Sequence, residues 1–188
     1  MKYQNISPPF TLKFWEMKKP ELKKYYEWFI GQIPERVAQL QDTVAVSMKG
    51  WLADRTPGSL DELGVFFAGN VGVRKRTMEE ISEIKSSSPY AIDIPASELT
   101  NTTFSYAMDL GMYLGQVVLA NISGTSWEQV LSGKSNADYG QPVITGFGKV
   151  SMNPVRLMTT LAYSIADGTK TGARLRELYD IWEGMASS

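Results

Sequence analysis

Asn101–Asn121, NTTFSYAMDLGMYLGQVVLAN, is the stretch whose reading decides the fold. Phe104, Met108, Gly111, Gly115 and Val118 recur at three- and four-residue steps, which predicts one long helix. Gly111 and Gly115 each lower helix propensity by ~1 kcal/mol relative to alanine. Close approach of another backbone would offset that loss. The helix is therefore expected at the centre of the molecule, as its most buried element. Asp109, Gln116 and Asn121 interrupt its apolar run, and no run nears the roughly 20 residues of a membrane span.

Downstream, Ser126 to Leu131 and Pro142 to Phe147 read as two strands of a hairpin, joined by the turn-rich 133–140 connection. Asn153 as cap and Pro154 in the first turn open a helix with Leu157, Met158, Leu161 and Ile165 inward. A last helix from Thr171 turns Leu175, Leu178, Tyr179 and Trp182 inward. Upstream, Ser59 with Glu62 and Thr77 with Glu80 match the capping-box spacing of two helix starts. Ser86-Ser87-Ser88-Pro89 breaks the pattern, and a mobile loop is expected at 85–90. Gly31 and Pro34 are expected to stop or kink the helix and so divide 18–50 into a helical hairpin or an elbow, and the alternation from Phe10 to Trp15 suggests a short edge strand. The expected architecture is a helix-rich α+β single domain spanning 1–188, with about six helices around a small antiparallel sheet or hairpin.

The chain has no histidine and no cysteine. Ser-His-Asp and Cys-His nucleophilic catalysis are thereby excluded, as are the usual zinc sites. No metal or cofactor is implied. The net charge of −1 argues against a general nucleic-acid binder. The basic and aromatic cluster of Lys18, Lys19, Lys23 and Lys24 with Trp15, Tyr25, Tyr26 and Trp28 has the composition of a nucleic-acid site, but the near-zero net charge favours a solvated helix face with its aromatics in the core. Arg74-Lys75-Arg76 is read as solvated in the same way. The N-terminus has no apolar segment of signal-peptide type, and the protein is expected to be cytoplasmic.

Two short glycine motifs are weak. Gly133-Lys134-Ser135 has Glu128 where a P-loop needs glycine, and so reads as a hairpin turn. Gly146-Phe147-Gly148 reads as a β-bulge or strand exit. If an anion binds, the helix start at Asn153 offers the backbone donors, with Lys149 and Arg156 as charged partners and Asp138 in the loop beside them. The five tryptophans stand at 15, 28, 51, 127 and 182; Trp15 and Trp51 flank loops and are expected to be partly exposed.

Tyr26-Glu27-Trp28-Phe29-Ile30 with Ile33, Pro34 and Arg36, and Asp138-Tyr139-Gly140-Gln141-Pro142-Val143-Ile144 followed by Asn153-Pro154, resemble small bacterial cytoplasmic proteins without an assigned activity. In size and charge the chain is also similar to single-domain immunity proteins that neutralise bacterial toxins, a likeness that carries no site residue over. The expected function is non-enzymatic protein binding, of immunity or regulatory type, through Trp15, Trp51, Asp138 and Tyr139. The alternative is a protein or enzyme that takes a small anionic ligand on Asp138, Lys149, Asn153 and Arg156.

Overall fold

The computed structural model describes residues 3–87 and 93–186. It contains helices α1 (Lys19–Ser47), α2 (Ser59–Asn70), α3 (Met78–Ser87), α4 (Asn101–Asn121), α5 (Pro154–Ala166) and α6 (Arg174–Ala186). Strands β1 (Val73–Lys75) and β2 (Ser97–Leu99) form one antiparallel pair. Strands β3 (Ser126–Gln129), β4 (Pro142–Phe147) and β5 (Val150–Met152) form an antiparallel meander. The α+β class is as expected, with two small sheets where one was foreseen.

α4 lies at the centre, as its glycines require. Ala107, Leu110, Met112, Tyr113, Leu114, Val117 and Val118 are all fully buried, because α4 is covered by α1 on one side and α5 on another. A Cβ on Gly111 would stand 2.8 Å from the Val155 backbone, so α5 rests directly on the α4 backbone there. At Gly115 the neighbour is a ring: the Trp127 side chain of β3 fills the place of the missing methyl.

α1 corrects the expected helical hairpin at 18–50. It is one 29-residue helix that runs through Gly31 and Pro34. Proline removes one ladder bond and crowds the preceding turn, a loss of about 3 kcal/mol. Leu22, Tyr25, Phe29, Ile33, Val37, Leu40 and Val44 form an unbroken buried stripe on both sides of it, and that burial outweighs the defect. Gly31 is exposed and has open space where a Cβ would go. Gly31→Ala is therefore expected to raise stability by about 0.5–1 kcal/mol, read as a higher urea midpoint at unchanged m.

Other local readings also shift. Phe10 to Trp15 forms no strand; Leu12 takes a positive φ of 57° and the chain turns at 14–16. The Ser59 hydroxyl does not cap α2. It donates to the Thr56 carbonyl (2.6 Å) and bonds the buried Tyr113 hydroxyl (2.6 Å). The Thr77–Glu80 box does form: Thr77 N–H donates to Glu80 (2.8 Å) and Glu80 N–H to the Thr77 hydroxyl (3.2 Å). The Arg74 guanidinium, then the Thr77 N–H, hold the Glu80 carboxyl at about 2. Arg74 and Arg76 are thus not merely solvated, for both also pair with Glu98 across β1 and β2. β5 was not foreseen, and the register shift between Ile144 and Phe147, with Gly146 at φ 110°, is the bulge expected there. Of the mobile loop expected at 85–90, residues 88–90 lie outside the described residues, and 85–87 belong to α3.

No helix among the described residues is long and apolar enough to cross a membrane.

Candidate functional site

Residues 3–17 contain neither helix nor strand, and they cross the molecule as a strap. Irregular backbone needs side-chain partners to hold one course. Here they come from α1 and α4. Asp109 on α4 and Arg36 on α1 face each other with two parallel bonds, Nε to Oδ1 at 2.8 Å and Nη2 to Oδ2 at 2.7 Å. Both side chains are buried. The Tyr3 hydroxyl donates to Asp109 Oδ2 at 2.6 Å, and Arg36 Nη2 also donates to the Gln4 carbonyl at 3.0 Å. Tyr3 stacks on Tyr106 with ring centroids 4.2 Å apart. Ile6 N–H donates to the Ser105 hydroxyl at 3.1 Å. Burial pushes the Asp109 carboxyl up, against the downward pull of Arg36 and Tyr3. Desolvation opposes the Arg36 charge, but its bonds to Asp109 and Tyr3 outweigh it and leave the guanidinium above its ordinary value. Further along, Phe10 and Phe14 pack edge-on against the buried Tyr25 ring.

Between the strap and the helices lies a half-open cavity of about 460 Å³. The strap contributes Ile6, Pro8, Leu12 and Phe14 to one wall. Phe104 and Met108 of α4 and Val155 and Thr159 of α5 form the other. The polar lining is neutral: amides of Asn5, Asn101, Gln141 and Asn153, and hydroxyls of Ser and Thr. No carboxylate, lysine or arginine lines it. The volume falls within the few-hundred to thousand Å³ of ligand pockets, and the lining has their mostly apolar character.

One end of this cavity abuts the cluster expected from sequence. Asn153 caps α5, its Oδ1 accepting from Arg156 N–H at 3.0 Å. Its amide nitrogen donates to Asp138 (2.7 Å) and to Gln141 (2.9 Å). Arg156 Nη2 donates to the second Asp138 oxygen at 3.0 Å. Asp138 and Asn153 are buried, and Arg156 is about half exposed. So Asp138, Asn153 and Arg156 do converge, but the anion at this helix start is the chain's own carboxylate.

Lys149 does not join them. It sits exposed in the two-residue turn between β4 and β5, four residues along an extended strand from Asn153, roughly 13 Å. Trp51 is also corrected: it is buried, stacks edge-on with Tyr113, and donates its indole N–H to the Ser59 carbonyl at 2.9 Å. Tyr139 is buried in the core. Trp15 alone of the expected aromatic contacts is exposed, at 62%, next to the cavity-lining Phe14. Phe104 and Met108 were read as core positions of the central helix; Phe104 is 38% exposed at the cavity. The unspent signal for this was the aromatic lead-in after Pro8-Pro9, which needs an apolar surface to lie against.

Among the described residues, no group of three or more acidic side chains is placed to hold a metal ion. No protein-family model, curated protein or solved structure significantly matches the chain.

Proposed function

We propose that the chain is a non-enzymatic binding protein that holds a partner protein by one apolar side chain, seated in the cavity between the strap and α4. The observation that carries this reading is the neutrality of the lining. General acid–base chemistry uses a side chain that exchanges a proton near neutral pH, and the lining holds no carboxylate, lysine or arginine; its amides and hydroxyls supply hydrogen bonds, and most of its surface is apolar. The exposed Trp15 beside it adds a rigid aromatic of the kind that dominates protein interfaces. A protein of this kind acts by covering its partner's surface, as an immunity-type or regulatory factor does.

A small molecule is the second reading, favoured by the cavity's volume. The neutral lining selects an uncharged, largely apolar compound. An anion is disfavoured, because Asp138 already neutralises Arg156.

Thr159→Trp places a large ring at the α5 wall of the cavity. The plugged protein is expected to keep the wild-type melting temperature and to lose, in parallel affinity captures, a near-stoichiometric partner that the wild type retains. Equal capture by both proteins would overturn the cavity as the binding site. A compound released from the wild type in native mass spectrometry and missing from the plugged variant would move the assignment to the small molecule.

A further inference from the structure

We infer that the partner presents its apolar side chain from an acidic segment. This rests on the cavity reading above and adds the chemistry of what surrounds the anchor. Residues 13–24 hold five lysines against two glutamates, in a chain whose net charge is −1. That excess lies beside the cavity. Lys13 falls between Leu12 and Phe14, both of which line it, and Tyr25 of the same stretch of α1 closes it from below. The turn that carries Lys13 is held in place: Glu16 N–H and Met17 N–H both donate to the Lys13 carbonyl, at 2.8 and 3.2 Å.

The lysines are available. Lys13 and Lys23 meet carboxylates only at 3.9 and 3.8 Å, across exposed pairs within their own turns. Lys18, Lys19 and Lys24 are exposed and have no carboxylate partner among the described residues. Glu21, in the same stretch, accepts the Lys18 backbone N–H through Oε2 at 2.8 Å. An apolar pocket whose lining residues Phe14 and Tyr25 bracket a lysine-rich, solvent-exposed stretch is complementary to an apolar residue flanked by carboxylates, which steer the encounter and fix its register. A single-stranded nucleic acid would also meet the positive charge, but it binds by stacking bases on exposed rings. Trp15 is the more open of two exposed rings here, with Phe104 38% exposed inside the cavity; Tyr25 is buried, and Phe10 and Phe14 are packed on it, so the lysines adjoin no row of open rings.

The test uses four labelled probes at 50 and 500 mM salt, read by fluorescence anisotropy on the full chain. Three are heptapeptides: a central phenylalanine with three glutamates on each side, the same phenylalanine with three serines on each side, and a central alanine between the same glutamate triplets. The fourth is a twelve-nucleotide oligothymidine. The acidic phenylalanine peptide is expected to bind about tenfold more tightly than the serine one at low salt, as three exposed charge pairs would give. That advantage should vanish at high salt. It should also vanish in the triple variant Lys18→Glu, Lys19→Glu, Lys24→Glu, while the serine peptide binds that variant as it binds the wild type. Equal binding of the acidic and serine peptides overturns the acidic-partner inference and leaves the cavity reading standing. Equal binding of the phenylalanine and alanine peptides, or binding that Thr159→Trp does not reduce, overturns both. Tighter binding of the oligothymidine than of any peptide overturns the inference in favour of nucleic acid.

Discussion

Asp109→Leu is expected to destabilise the protein by about 3–5 kcal/mol, a large share of the roughly 5–15 kcal/mol that holds a domain of this kind together. The leucine itself fits the environment, since α4 is apolar on both sides of this position. The loss comes from what remains. Arg36 is buried on α1 and keeps its charge, but has lost both of its short bonds to the carboxylate. Among the described residues its other hydrogen-bond partners are the Gln4 carbonyl and the Tyr3 oxygen, at 3.0 and 3.1 Å. Tyr3 in turn loses the acceptor of its hydroxyl proton. Removing all three polar groups together, as Tyr3→Phe, Arg36→Met and Asp109→Leu, leaves no buried charge behind. That triple variant is expected to return to within about 1 kcal/mol of the wild type or to exceed it, because well-packed apolar replacements of buried ion pairs are often neutral or stabilising. Urea unfolding of the single and triple variants checks both. A single variant as stable as the wild type would mean that water reaches Arg36 and that the strap does not seal this pair.

The same network shows why part of the molecule was not legible in the sequence. Tyr3 finds Asp109 across 106 residues, and Ile6 finds Ser105 across 99. Beyond the aromatics after Pro8-Pro9, nothing local fixes the course of residues 3–17; its order comes from groups that only the folded α1 and α4 bring together. Asp109 itself looked like an interruption of an apolar helix, whereas it is that helix's anchor for the strap. The elements that were legible are marked by patterns among residues close in sequence. α4 follows from an apolar pattern too broad for a surface helix, α5 from Asn153-Pro154, and the β3–β4 hairpin from alternation on both sides of a turn-rich loop. At Pro34 local and tertiary preferences conflict, and the buried stripe of α1 prevails. The candidate site was half legible. The cluster at Asp138, Asn153 and Arg156 was found through its cap and its charges, but its pairing closes it to an outside anion. The cavity beside it is made where the strap, α4, α5 and the start of β4 meet, and no single segment carries its signature.

Gly111→Ala tests that junction directly, and the expected result runs against helix propensity. In open space the change would favour a helix by about 1 kcal/mol, as expected at Gly31. At Gly111 the new methyl would lie 2.8 Å from both the Val155 nitrogen and its Cα, and 3.0 Å from the Pro154 carbonyl carbon. These are backbone atoms in the first turn of α5, so no side chain can swing aside. α5 must move away from α4, and overpacking of this kind costs about 1–3 kcal/mol. Gly115→Ala provides the contrast, because its nearest neighbour is the Trp127 ring, whose far edge can shift against Phe29. The two alanine variants should therefore separate by site. Gly111→Ala displaces Val155, the cavity wall, and with it the Asn153 cap, so it should weaken binding of an apolar anchor as well as lower the melting temperature. Gly115→Ala should lower stability and leave the cavity as it was, since Trp127 does not line it. Thermal unfolding together with titration of the acidic phenylalanine peptide reads both effects. If Gly111→Ala unfolds earlier yet binds the peptide as the wild type does, the α4–α5 contact supports the fold without shaping the cavity. If it is as stable as the wild type, α5 yields more easily than a helix resting on bare backbone should.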